Sequence, residues 1–67
     1  MLIKNGILKN NNNKLIIDNI ENVNVSDKVY TTNDIYIGTI DKITDEIILK
    51  YDIDLTKINY IYVVNND

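Results

Sequence analysis

The apolar residues of this chain fall into short runs that are rich in β-branched and aromatic side chains. Clusters of Asn, Asp and Thr separate these runs at the spacing typical of strands in a small barrel or sandwich. The runs are LIK, GILK, KLIID, VNV, KVY, DIYIGTI, EIILKY and NYIYVV. The best helical candidate extends from Thr44 to Tyr51, but its IILKY segment is too short and too rich in strand-forming residues. The sequence therefore predicts an all-β fold.

The run DIYIGTI has apolar side chains on both faces of the predicted strand. Because successive side chains of a strand point to opposite faces, alternation predicts one face with Ile35, Ile37 and Thr39 and another with Tyr36, Gly38 and Ile40. A sheet with one face in water alternates more cleanly between apolar and polar residues, so we expect the outer face to be covered. The chain has no Pro to protect sheet edges. We therefore predict a small closed or partly open barrel of about six antiparallel strands.

Glycine and asparagine mark the predicted irregularities of this barrel. Gly38 is expected at a barrel corner or where another backbone approaches closely. Asn10 to Asn13 are predicted to form a hairpin turn, since Asn tolerates left-handed backbone angles. The Asn5-Gly6 pair fits either a two-residue hairpin or a bulge within one bent N-terminal strand. Ser26 is predicted to cap the turn before Asp27.

The length of 67 residues predicts a single domain over residues 1–67. A domain of this size buries only about 60% of the surface that its unfolded chain exposes, so small domains often gain stability from disulfides, metals or partners. The chain has no Cys and no His, which leaves a partner. The absence of Cys and of an apolar N-terminal segment leads us to expect a cytoplasmic, soluble protein without membrane contact.

The side chains offer little for catalysis, so we predict neither an enzyme nor a cofactor nor a metal. The single Ser26 has no base to activate it. Asp52 and Asp54 are suitably spaced to hold a hard cation, but a solvated turn is the better interpretation. The carboxylates of Asp41, Asp45 and Glu46 fit a solvated loop better than an acid and base pair, because so short a chain lacks a substrate cleft.

The charge and the tyrosines bear on nucleic-acid binding in opposite directions. The net charge is −3 and the chain has no Arg, which disfavours direct contact with phosphates. The five Tyr residues suit base stacking, but without neighbouring basic residues packing in the core or in a protein interface is the better interpretation.

The chain resembles the GAR-type subunit of H/ACA ribonucleoproteins, in its archaeal form without glycine-arginine tails. The resemblance lies in the order of the segments GILK, KLIID, VSDKVYTTNDIYIGTIDKI and the closing INYIYVV. The signature positions that match are Val29, Ile37, Gly38, Ile40, Asp41 and Ile43. The chain departs from the family where TDEIILKYD replaces a Phe-Gly-Pro and Pro-Tyr segment. PRC-type, Sm-like and other SH3-like barrels remain alternatives, acting as nucleic-acid-binding or protein-interaction modules. A free-standing phage or plasmid protein that bridges or inhibits others is a third possibility.

The resemblance implies a non-catalytic accessory subunit of an RNA-guided pseudouridylation particle. Such a subunit is a barrel of about six strands that docks on the pseudouridine synthase subunit and aids loading and release of substrate RNA. It associates with guide RNA only indirectly, and we expect it to be monomeric by itself. For the docking surface we predict the central strand, with the residues Ile35, Tyr36, Ile37, Gly38 and Ile40.

Overall fold

The computed structural model describes residues 2–11, 14–51 and 58–65. Within these ranges six antiparallel strands close into a barrel in the order β1-β2-β5-β4-β3-β6. The strands are β1 (Leu2–Asn11), β2 (Lys14–Asp18), β3 (Lys28–Thr31), β4 (Tyr36–Ile43), β5 (Ile47–Tyr51) and β6 (Tyr60–Asn65). The predicted all-β barrel is confirmed, and it is closed. In the described residues there is no helix of the length and apolarity needed to cross a membrane.

The first strand is one continuous element shared by two neighbours. Leu2–Ile7 pairs with β6 and Ile7–Asn11 pairs with β2. The continuous strand excludes a hairpin at Asn5-Gly6. The pairing of β1 with each neighbour also shows no register shift, so this described strand has no bulge at Asn5-Gly6 either. Asn11 pairs with Lys14, which agrees with the hairpin predicted at this place, although Asn12 and Asn13 lie outside the described residues.

The core of the barrel is aliphatic and receives side chains from every strand. Along β6 the side chains alternate, because Ile61 and Val63 point inward and Tyr60 is exposed. The buried hydrophobic residues are Leu8, Leu15, Ile17, Val23, Val29, Ile37, Ile40, Leu49, Ile61 and Val63. These aliphatic side chains leave the described tyrosines outside the core.

A β-bulge in β4 changes the predicted alternation of the central strand. Val29 pairs with Gly38 while the next residue, Tyr30, pairs with Tyr36, so Ile37 is an extra residue on β4. A bulge of this kind turns two consecutive residues toward the same side of the sheet. Ile37 and Gly38 are accordingly both buried, and the prediction that they lie on opposite faces is wrong.

The segment between β2 and β3 is a loop, so the strand expected at VNV is also wrong. Asn19, Asn22 and Ser26 adopt left-handed backbone angles, with φ of 59°, 60° and 75°, which interrupt an extended strand. The backbone N–H of Asn24 donates a 2.8 Å hydrogen bond to the carboxylate of Asp27. The side chain that caps this turn is therefore Asp27, and not Ser26 as predicted.

Side chains from two strands hold this loop against one end of the barrel. The ammonium group of Lys4 donates to the carbonyl oxygens of Glu21 and Asn22, at 3.1 and 2.6 Å. The side-chain amide of Asn65, which is 1% exposed, donates to the same Asn22 carbonyl at 3.1 Å. The loop is thereby fixed in a position where Val23 packs into the core.

Candidate protein-binding face

The turn between β3 and β4 positions a carboxylate and an apolar side chain at the surface. The backbone N–H of Thr31 donates to the carbonyl of Ile35 at 2.9 Å, and that of Asp34 donates to the carbonyl of Thr31 at the same distance. The Thr31 hydroxyl oxygen accepts from the N–H groups of Asn33 and Ile35, at 3.2 and 3.1 Å. Asp34 has a φ of 69°. These bonds fix the backbone that carries Asp34 and Ile35.

Three tyrosines form a row across the outside of β4, β3 and β6. Tyr30 pairs in register with Tyr36 on one side and Tyr62 on the other. Its ring meets the edge of Tyr36 at a centroid distance of 5.7 Å and an interplanar angle of 67°. It stacks on Tyr62 at 5.3 Å and 15°. Both geometries are favourable for aromatic pairs, and we call Tyr30, Tyr36 and Tyr62 the tyrosine row.

A hydrogen bond connects the tyrosine row to the preceding turn. The Tyr62 hydroxyl donates to Oδ1 of Asp34 at 2.7 Å. This bond, with desolvation and the charge of Asp34 as further causes, raises the pKa of Tyr62 to about 12. The row therefore has a fixed anion at its margin.

Exposed apolar side chains extend the surface beside the tyrosine row. Ile35 is 57% exposed, Tyr36 51% and Tyr60 65%. Next to them lies an open groove of about 340 Å³, lined by Thr31, Thr32, Asn33, Ile35, Ile58, Asn59 and Tyr60. Single exposed apolar residues are ordinary, whereas a group of them beside a groove is a candidate interaction site. We call the tyrosine row together with Asp34, Ile35 and Tyr60 the binding face.

The structure separates the five residues predicted to bind a partner into two groups. Ile35 and Tyr36 lie on the binding face, and their contact with a partner stays a prediction. Ile37 and Ile40 are 2% and 1% exposed, so their side chains belong to the core and are not accessible to another protein.

Gly38 is also inaccessible, because it lies where two strands of the barrel meet. A Cβ atom added to it would overlap the carbonyl oxygen of Lys50 and would lie 3.1 Å from the Cα of Tyr51. The predicted close approach of a backbone is thus confirmed, but that backbone is the chain's own β5. The docking role predicted for Gly38 is therefore corrected to a structural one.

Sequence reasoning did not single out Tyr30, Asp34, Tyr60 and Tyr62. The period-two spacing of Tyr60 and Tyr62 in NYIYVV was the available signal, because it places both side chains on one face. The pairing of Tyr30 with both Tyr36 and Tyr62 depends on strand order, which the sequence does not reveal.

The other carboxylates in the part of the chain that the structure describes have structural or solvated positions. Glu46 accepts a hydrogen bond from the Asn11 amide at 2.8 Å, while Asp41 and Asp45 are exposed. Lys9 forms a 2.8 Å salt bridge with Asp18, and this bond, followed by one from the Asn19 backbone, lowers the pKa of Asp18. Asp52 and Asp54 lie outside the described residues. Within the described ranges no group of three or more potential ligands is arranged to hold a metal.

The barrel and its surface define a class of protein in structural terms: a small closed β-barrel with exposed aromatic side chains. Comparison of the chain with models of protein families, with curated proteins and with solved structures finds no match. The functional argument therefore depends on the binding face and on the sequence pattern.

Proposed function

We propose that this barrel is a non-catalytic, cytoplasmic protein-binding subunit that docks through its binding face. Following the resemblance of its sequence, we propose as its partner the pseudouridine synthase subunit of an H/ACA particle, with guide RNA associated only through that partner. The observation that carries the proposal is the exposure of Ile35, Tyr36 and Tyr60, of which Ile35 and Tyr60 line one groove, on a barrel whose own core is already filled.

The composition of the binding face suits a protein interface. A standard interface buries roughly 800 Å² on each partner, which is about a sixth of the 4677 Å² of accessible surface here. Tyr is enriched at the centres of such interfaces, because it combines a large apolar ring with a polar tip. The neighbouring groove provides a concave surface for an apolar side chain of the partner.

Direct nucleic-acid binding has weaker support. The tyrosine row resembles the stacking platforms of single-strand binders, but those proteins combine aromatic rings with a positively charged groove. Here the net charge is −3, and the charged group hydrogen-bonded to the row is the carboxylate of Asp34. Phosphates would be repelled at the place where bases would stack.

The test is a pull-down with an immobilised H/ACA pseudouridine synthase subunit encoded in the same genome. We expect a complex that Ile35→Ser or Tyr36→Ser weakens by about tenfold or more, as truncation of an interface anchor does. The matched control is Ile43→Ser, because Ile43 is also exposed but lies at the opposite end of β4 from Tyr36.

Each outcome bears on a different part of the proposal. Failure of the native chain to form a complex would refute the synthase as partner. A complex insensitive to the Ile35 and Tyr36 variants, or equally sensitive to Ile43→Ser, would refute the binding face. Retention of uridine-rich RNA by the isolated protein in a low-salt filter assay would instead support the nucleic-acid-binding alternative.

A further inference from the structure

Asn5 and Gly6 form the only Asn-Gly pair in the sequence. Asn is a labile residue in proteins, because the backbone nitrogen of the next residue can attack its side-chain amide. Gly favours this attack, since it has no Cβ atom to obstruct the nitrogen and its backbone adopts many conformations. The pair is therefore the position of the sequence that is most prone to deamidation.

The fold exposes one reacting group of this pair and holds the other. Asn5 is exposed on β1, so its amide is open to water, whereas Gly6 is buried. The backbone N–H of Leu8 donates to the carbonyl of Asn59 at 2.7 Å, and N–H groups two residues apart in a strand point to the same side. The Gly6 N–H therefore points toward β6, where Gly6 pairs with Ile61.

We propose that Asn5 is a deamidation site that the closed barrel protects, so that its amide is lost only in molecules in which β1 has separated from β6. In the closed barrel the Gly6 nitrogen belongs to the hydrogen-bonding ladder, and the extended backbone of the strand keeps it turned away from the amide carbon of Asn5. This inference does not depend on the proposed function.

The reaction requires no other reactant than water. The Gly6 nitrogen forms a bond to Cγ of Asn5, the bond from Cγ to the side-chain nitrogen breaks, and ammonia leaves with the proton of the Gly6 N–H. Water then opens the cyclic imide at either of its carbonyl groups. Opening at Cγ gives aspartate, and opening at the backbone carbonyl gives isoaspartate, in which the main chain continues through the former side chain.

The two products have different consequences for the barrel. Aspartate keeps the backbone of β1 and adds a carboxylate at an exposed position, beside Tyr62, with which Asn5 pairs. Isoaspartate adds a methylene group to the backbone of a strand that pairs with β6 without a register shift. Lys4, which holds the loop between β2 and β3 through the carbonyls of Glu21 and Asn22, directly precedes this insertion. We therefore expect isoaspartate to release the loop.

The experiment compares the folded full chain with the same chain unfolded in guanidinium chloride, at one pH and temperature. Trypsin cleaves after Lys4 and Lys9, so the peptide of residues 5–9 separates Asn5 from the other Asn residues. Mass spectrometry of this peptide follows the conversion of amide to acid, and a sample digested at time zero corrects for deamidation during digestion. We expect the folded chain to react about a hundredfold more slowly or less, because opened states of a folded domain are rarely populated.

Hydrogen exchange at the Gly6 amide, followed by NMR, tests the opening step by itself. Exchange requires the hydrogen bond toward β6 to open, and deamidation requires the same opening and a rotation of the backbone. Folding should therefore slow deamidation of Asn5 at least as strongly as it slows exchange at Gly6. The matched control is Asn5→Gln, which keeps an exposed amide but places its carbon one bond further from the Gly6 nitrogen, so its conversion should be much slower in both states.

Four results would overturn the inference. The first is an equal rate of deamidation in the folded and unfolded chains, and the second is an unfolded chain that keeps the Asn5 amide. The third is weaker protection against deamidation than against exchange at Gly6, which would mean that the attack does not need β1 to leave β6. The fourth is conversion of Asn5→Gln at the native rate, which would exclude attack by the Gly6 nitrogen.

Discussion

The close contact at Gly38 gives the sharpest prediction about how this barrel closes. An added Cβ would overlap the carbonyl oxygen of Lys50 and would lie 3.0 Å from the carbon of that carbonyl group. These are backbone atoms of β5, which is hydrogen-bonded to β4 through the register of Gly38 with Tyr51. Gly38→Ala can therefore be accommodated only if the two strands move apart.

The expected cost follows from comparison with Gly6. A Cβ on Gly6 would lie 2.8 Å from Cγ2 of Ile17, which is a side-chain atom, and 3.2 Å from the backbone oxygen of Asp18. Overpacking of a core costs about 1–3 kcal/mol, and we assign Gly6→Ala to the lower part of this range. For Gly38→Ala we expect about 3 kcal/mol or more, because no side-chain rotation relieves the contact.

Such a loss is large for a domain of 67 residues, whose total stability is expected to be roughly 3–10 kcal/mol. Urea denaturation followed by circular dichroism measures both variants, and in a thermal scan 3 kcal/mol corresponds to a decrease of the melting temperature by about 12–24 °C. A Gly38→Ala variant within about 0.5 kcal/mol of the native protein, or less destabilised than Gly6→Ala, would contradict the argument.

Two further predictions concern polar side chains. Asn65→Ala should destabilise the barrel by about 1–3 kcal/mol in the same denaturation assay, because it removes a buried donor to the Asn22 carbonyl. The control Asn5→Ala, at an exposed position of β1, should change the free energy of unfolding by less than about 0.5 kcal/mol. Equal effects of the two substitutions would refute the role of Asn65. A titration of phenolate absorbance should show one late-titrating tyrosine near pH 12, absent in Tyr62→Phe. The pKa of Tyr62 in the folded protein lies above the ordinary value of 10.0. The stabilisation from its contact with Asp34 is therefore complete below pH 10 and is lost as the pH rises toward 12. In this interval the native protein should lose its stability advantage over Tyr62→Phe.

The sequence predicts the barrel and most of its strands because their apolar runs have no other consistent interpretation. It does not predict that VNV is a loop, since a β-branched pair normally favours a strand. The relevant signal is the left-handed backbone of Asn19 and Asn22. Asn is enriched in that conformation, but in a chain so rich in Asn the residue type alone does not distinguish turn positions from ordinary ones.

The binding face was only partly predictable for a different reason. Alternation assigns side chains correctly along β6, but in β4 the extra residue Ile37 reverses the assignment of every residue on one side of the bulge. A bulge depends on how two strands twist against each other, and this is not encoded in the period of one strand. As a result Tyr36 was placed on the same face as Gly38 and Ile40, which the structure places inside.

The tyrosine row can stabilise the sheet and can contact a partner, and the geometry of each tyrosine indicates which of these two roles it has. Cross-strand aromatic pairs stabilise a sheet by themselves, and Tyr30, in contact with rings on both sides, is placed mainly for this role. Tyr36 has one ring contact and is half exposed, so it contributes less to the barrel and offers more surface to a partner. Because Tyr30 is itself stacked on Tyr62, its ring gives Tyr36 a fixed neighbour at the edge of the row. A protein anchor of this kind loses little side-chain entropy on binding, and this is the physical reason to expect the interaction at Tyr36.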